Sequence, residues 1–353
     1  MNIDSYLLEK LSTILFLEIK KGTKIGEYTF NDNVYLPVKS EDVVGKAKDG
    51  DDLKNIPVSL FTEGMFLVLG CDDKFRFNDT YKEFLSSLKE STKFIKGKIF
   101  NNVKNEKYEN AYLLLRGLLK VEPSKDNYNK AFVLLQNLSE RNKVFKEELL
   151  KKIEECKKIQ DFSTPYLYEA IIKRDDKDFE GALFAINQYL ALGGNENDDV
   201  LDLKSSLELI TDYDKGKDLV NEDPKTALQI LLPLLDELGD SAEIYYYIAV
   251  AYRNLENYEK AIYYLNEAQA INSDYIEVVN ELGINYACLE DYNSAIKYFR
   301  AAFDVTKSIE ICTNLIMCYL NIGDKKQAKL HLDIAKKLNP KDEILKEIEK
   351  IFN

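Results

Sequence analysis

Between residues 241 and 340 the apolar positions keep a helical spacing that recurs. Aligned on Ala261, Ala295 and Ala328, which lie 34 and 33 residues apart, other columns coincide. Leu265, Phe299 and Leu332 follow their alanines by four residues, and Ala268, Ala302 and Ala335 follow by seven. Upstream, Ile248-Ala249, Leu282-Gly283 and Leu315-Ile316 form a large-then-small column, and Tyr252, Tyr286 and Tyr319 an aromatic one. A fixed period of this length predicts stacked helix-turn-helix units.

Small residues at i and i+7 with a large one at i+4 share one helix face. The small side chains let a second helix approach and the large ones fill the space beside it, with the tyrosine of the first helix packing on the second. A lone unit cannot bury such a face, so neighbours must stack.

These columns resemble the tetratricopeptide repeat, with its W-x-x-L-G-x-x-Y, A-x-x-x-F and closing Pro pattern. Tyr245, Val279 and Cys312 stand at the Trp column; Gly283 matches the Gly column, Ala249 nearly so, and Ile316 departs from it. Pro340 supplies the closing proline. The resemblance implies a mostly α fold, a right-handed α-solenoid of helix-turn-helix repeats. It also implies that the first helix of each unit lines a concave groove. In this register the lining includes Tyr246, Val250, Arg253 and Asn254, then Asn280 and Ile284, then Thr313, Met317 and Asn321. Amides there would hydrogen-bond a bound backbone while apolar positions take side chains.

Elsewhere the pattern changes. Residues 3–20 read as an amphipathic helix ending at Gly22. Gly26–Phe30 and Val34–Val38 read as strands of a hairpin around Asn31-Asp32-Asn33. A loop is expected over 45–55, a helix from Pro57 to about Leu69 with Gly70 after it, and another helix from Asn78 or Asp79 through Leu88. From 92 onward an aromatic–alanine–leucine phrase recurs: Tyr108-Ala111-Leu115, Tyr128-Ala131-Leu135 and Phe179-Ala182-Ile186, then Ala227-Leu231. Its alanines step by 20, 51 and 45 residues before settling at 34, as degenerate repeats with inserted helices would. A charged helix is expected over 142–159 and a break at Gly193-Gly194-Asn195; Pro224 should open a helix. A last helix, Asp342–Phe352, would turn Ile344, Leu345, Ile348 and Phe352 inward. The expected segments are a small α+β unit (1–91), degenerate helical repeats (92–240), three regular repeats (241–340) and a capping helix (341–353).

Charge and candidate chemistry narrow the function. The net charge of −13 is uneven: residues 96–160 hold 15 Lys/Arg against 9 Asp/Glu, and residues 161–240 hold 7 against 19. The acidic balance argues against nucleic acid as the main partner. Five cysteines without a C-x-x-C pair read as free thiols in a reducing cytoplasm. No leader and no 18-residue apolar span is read, so membrane insertion is not expected. His331 is the only histidine, placed on a surface, and phosphate-loop, nucleophile-elbow and dinucleotide motifs are missing. The acidic clusters Asp49-Gly50-Asp51-Asp52 and Asp175-Asp176-Lys177-Asp178 lack calcium-loop spacing and read as solvated turns.

The expected function is therefore a non-catalytic, cytoplasmic scaffold or adaptor that binds a peptide or protein segment in its groove, without cofactor or metal. The alternative is a regulator whose repeats sense a peptide or protein signal while residues 1–91 act as effector. Lys-, Asn- and Ile-rich usage suggests a bacterial source with an AT-rich genome.

Overall fold

A computed structural model describes residues 2–48, 57–340 and 343–352. The chain divides into two compact units, Met1–Lys204 and Ser205–Asn353. The expected segments divide the chain by sequence pattern, and the compact units run across their limits.

The first unit opens with α1 (Ile3–Glu9), capped by the Asn2 side chain, which accepts from the Ser5 N–H at 2.9 Å. The helix expected over 3–20 stops there. A single 3-10 turn (Lys10–Thr13) leads into β1 (Ile14–Ile19). The run Ile14–Leu17 fits a strand as well as a helix, and its partner decides. β4 (Val34–Lys39) pairs with β1 antiparallel, from Ile14 opposite Lys39 to Ile19 opposite Val34. Val34, Leu36 and Val38 alternate into the core. Between them lies a small ladder, β2 (Lys24–Ile25) with β3 (Tyr28–Thr29). The tight turn is thus at Gly26-Glu27, where Gly26 has φ +61°, and not at Asn31–Asn33. The Asn33 side chain instead accepts from the Lys21 N–H at 2.8 Å and closes the loop.

α2 (Ser40–Lys48) occupies the start of the expected 45–55 loop; residues 49–56, with the Asp49–Asp52 cluster, lie outside the described residues. α3 (Val58–Cys71) is the centre of the unit, and every residue from Phe61 to Cys71 is buried. Its Glu63 is held by Lys39 Nζ at 2.5 Å and Lys98 Nζ at 2.8 Å. Gly70 does not end this helix; it is a point of backbone contact, taken up below. Around α3 stand α4 (Asn78–Ser87), α5 (Ser91–Lys104), α6 (Tyr108–Val121), α7 (Lys125–Arg141), α8 (Lys143–Cys156), α9 (Thr164–Asp175) and α10 (Phe179–Ala191). One hydrophobic core runs from Ile3 to Ile172, so the strands and the helices up to α9 share it.

α11 (Asp198–Leu219) crosses the division. The second unit continues with α12 (Pro224–Leu231), α13 (Leu235–Leu238), α14 (Ala242–Asn254), α15 (Tyr258–Ile271), α16 (Ile276–Cys288), α17 (Tyr292–Thr306), α18 (Ile309–Asn321), α19 (Lys325–Leu338) and α20 (Glu343–Lys350). Pro224 opens α12 and Asp223 caps it. Asp342 lies outside the described residues. In α20, Leu345 and Ile348 are buried, but Ile344, at the edge of their face, is exposed.

The alanine columns are equivalent in space: Ala261, Ala295, Ala328 and their i+7 partners are all fully buried. Ile316, at the glycine column, is also fully buried. The second copy explains the variation. A Cβ on Gly283 would lie 2.7 Å from the Phe299 ring, so the copy with the largest i+4 residue needs the smallest opposite. Ala249 shares a core with Leu265, and Ile316 with Leu332. The tyrosine column has a partner column three residues after the alanines. Tyr252 stacks on Tyr264 (5.4 Å, 9°), Tyr286 on Tyr298 (5.5 Å, 6°) and Tyr319 on His331 (5.2 Å, 30°). The half-buried His331 therefore fills an aromatic repeat position. Ala295→Leu should overpack this contact and lower stability by about 1–3 kcal/mol, read as a drop in the urea midpoint of α16–α17.

The turns also repeat, and they reach into the first unit. Two residues before α6, α10, α15, α17 and α19 stand Glu106, Lys177, Glu256, Glu290 and Gly323, all left-handed, with φ between 57° and 78°. The following N–H donates back into the preceding helix each time: Lys107 to Asn102 O, Asp178 to Lys173 O, Asn257 to Tyr252 O, Asp291 to Tyr286 O and Asp324 to Tyr319 O. In the last four of these turns that residue's side chain also caps the new helix. Hairpins α5–α6 and α9–α10 thus share the turn of the regular copies. The 20-residue phrase offset falls between α6 and α7, which is a step from one helix to the next and not from hairpin to hairpin.

Candidate functional site

The first helices of the three regular copies are α14, α16 and α18, and neighbours among them are in contact. The nine expected groove residues divide into those engaged inside the protein and those available at its surface.

Val250 is buried in the cluster with Val220, Ala227 and Leu231. At 6% exposure it offers a partner little surface. Asn254 donates from Nδ2 to Val220 O at 2.7 Å and to Asn221 Oδ1 at 3.1 Å, tying α14 to the end of the preceding hairpin. Arg253 donates from Nε to Glu281 Oε1 and so clamps α14 to α16. Burial raises the Glu281 carboxyl above its ordinary pKa, against the pull of Arg253. Asn280 has a buried Oδ1 with no hydrogen-bond partner. Thr313 donates its hydroxyl to Ile309 O at 2.9 Å within its own helix.

Tyr246 lies in an aromatic group, 5.3 Å from Tyr247 and 5.5 Å from Tyr275, with Tyr213 beyond at 6.2 Å from Tyr247. Burial, with the nearby Glu281 charge, pushes its phenol up to about 12. Lys217 lies 5.3 Å over the Tyr247 ring, and the Tyr213 hydroxyl donates to Glu243 Oε2 at 3.1 Å.

Ile284, Met317 and Asn321 do come together. They line a cavity of about 460 Å³ between α16 and α18, with Cys288, Tyr292 and Asn314. Met317 is 41% exposed. Asn321 donates from Nδ2 to Met317 O at 2.9 Å. The stripe on α18 is 314, 317, 318 and 321; it keeps the expected 317 and 321, takes Asn314 in place of Thr313 and adds Cys318. Helical spacing from Met317 would have found Asn314 at i−3, and Asn314 in turn leads to Cys318 at i+4. Tyr292 comes from the second helix, α17, and nothing in the first-helix pattern points to it.

The lining is apolar with two amides, which suits a side chain flanked by backbone. Burial pushes the Cys318 thiol up to about 11, keeping it protonated at neutral pH. Among the described residues, no group of three or more His, Cys, Asp or Glu could hold a metal ion, and no helix is long and apolar enough to cross a membrane.

Residues 242–275 match the model of the tetratricopeptide repeat family. A comparison with curated proteins gives no match. Among solved structures the chain is similar to MamA, at 22% identity over 50% of this chain and 90% of that one, with a TM-score of 0.38. It is similar to YrrB, a TPR protein with an unusual peptide-binding site, at 17% identity over 56% and 96%, TM-score 0.38. Likeness to the APC/C hetero-tetramer Cut9–Hcn1 is 14% over 82% and 62%, TM-score 0.38. The match at residues 242–275 thus falls on a tetratricopeptide-like repeat, and the buried alanine columns and shared turns extend the same pattern to the two copies that follow.

Proposed function

We propose that the chain is a non-catalytic interaction protein that holds a peptide or protein segment against the first helices of its regular repeats. Proteins of this family are generally protein-interaction scaffolds, and the cavity between α16 and α18 is the observation that carries the reading here. It offers Ile284 and Met317 for an apolar side chain and Asn314 and Asn321 for backbone. Tyr246 would extend the contact along α14. Arg253, Asn254 and Val250 support the surface from within, and Asn280 and Thr313 flank it.

The test uses residues whose loss leaves the packing intact. Met317→Lys with Asn321→Ala should leave helicity and melting nearly unchanged while removing a partner recovered by affinity capture with the intact chain. Arg253→Ala is unsuitable, because it strands the buried Glu281 carboxylate. Unchanged recovery with the double variant rules this surface out. The regulatory reading has less support: the strands that would form a separate effector share one core with α5–α9.

A further inference from the structure

In the first unit, three large apolar side chains break the burial pattern. Phe100 is 67% exposed, Val133 61%, and Val103 is exposed beside them. With Leu134 they wall a groove of about 420 Å³ between α5 and α7, floored by Leu115 and Leu118 of α6. We propose that this groove docks an acidic amphipathic helix of a partner protein. The surface is separate from the cavity between α16 and α18, and the inference does not rest on that site.

Two features of the groove determine the occupant. Its walls and floor are nearly all apolar, with polar atoms supplied only by Lys96, Asn127 and Lys130. An extended segment laid there would bury backbone N–H and C=O groups without partners. A helix satisfies its own backbone and presents an apolar stripe. The second feature is charge. α5 carries four lysines and no carboxylate, and α7 carries Lys125, Lys130 and Arg141 against Asp126 and Glu140. At the rim, Lys96 pairs with Glu122 at 2.6 Å and Lys130 with Asp126 at 2.5 Å. Exposed pairs of this kind are weak and readily exchanged. Carboxylates flanking the partner's apolar stripe would take them over, and like charges there would be repelled.

The probe is a fluorescein-labelled peptide of about 18 residues, long enough for a helix, with leucines at i, i+3 and i+4 and glutamates elsewhere. A twin carries lysine for glutamate. Titrated with the full chain and followed by anisotropy, the acidic peptide should bind at least tenfold tighter than its twin and weaken as salt rises. Phe100→Ser with Val133→Ser should weaken it at least tenfold. Both side chains are mostly exposed, so circular dichroism should show unchanged folding. Lys96→Glu with Lys130→Glu should shift preference toward the lysine twin. No binding of the acidic peptide, equal binding of both, or indifference to Phe100→Ser with Val133→Ser overturns the proposal. Self-association of the intact chain that this double variant abolishes would also overturn it, by placing a second copy in the groove.

Discussion

Arg116→Met should destabilise the first unit by about 3–5 kcal/mol, the cost of breaking a buried ion pair from one side. Arg116 is 4% exposed and its partner Glu148 1%. Nε of Arg116 lies 3.0 Å from Glu148 Oε1, Nη1 donates to Gly70 O near the end of α3, and Nη2 reaches Asp73 at 3.2 Å. The Tyr112 hydroxyl donates to the same Glu148 oxygen at 2.7 Å, while Glu148 Oε2 has no hydrogen-bond partner. Removing the guanidinium leaves a carboxylate in the core without a cation and the Gly70 carbonyl without its donor. Asp73 keeps Lys120 at 2.9 Å. Adding Glu148→Gln removes the stranded charge yet keeps an acceptor for Tyr112, so the double variant should recover at least half of the loss. A chain of two units and many repeats need not unfold in one step. The measurement is therefore native-state hydrogen exchange of α6 and α8 amides. Protection in Arg116→Met equal to the parent would mean that the pair contributes nothing.

The second large effect is expected where α3 crosses α6. A Cβ on Gly117 would lie 1.9 Å from Phe66 O, and one on Gly70 2.1 Å from Leu113 O. Both obstacles are backbone, so no side chain can turn aside and the two helices must separate. Gly117→Ala should cost about 3 kcal/mol or more from overpacking, offset by about 1 kcal/mol of gained helix propensity. Gly97 in α5 is the control, since nothing lies within 4 Å of a Cβ there. Gly97→Ala should raise stability by up to about 1 kcal/mol. Opposite signs for two glycine substitutions in neighbouring helices, read from urea midpoints, would separate packing from propensity. A stabilising Gly117→Ala would mean that the crossing is looser than described.

The expected groove shows how far helical spacing reaches. It brought Ile284, Met317 and Asn321 to one cavity because their position depends only on the rotation of a helix. It could not distinguish a free arginine from Arg253, which clamps Glu281 one repeat later, nor an open amide from Asn254, which is spent on Val220 O. Those partners lie 28 and 34 residues away, and only the stacking of hairpins brings them within reach. The exposed Phe100 and Val133 were illegible for the same reason: an apolar residue on a helix reads as core until its neighbours are placed.

By itself the sequence determined the repeat register, the alanine and tyrosine columns, the aromatic–alanine–leucine phrase that opens helices such as α6, α10 and α15, and the start of α12 at Pro224. All of these follow from contacts within one hairpin or between adjacent ones, which local spacing encodes. Tertiary structure alone decided that Ile14–Ile19 is a strand, that α3 is buried on every side, that Gly70 is a contact and not a stop, and that Arg116 and Glu148 meet in the core. Each of these depends on segments distant in the chain, whose pairing and desolvation outweigh local preference and leave no period to read.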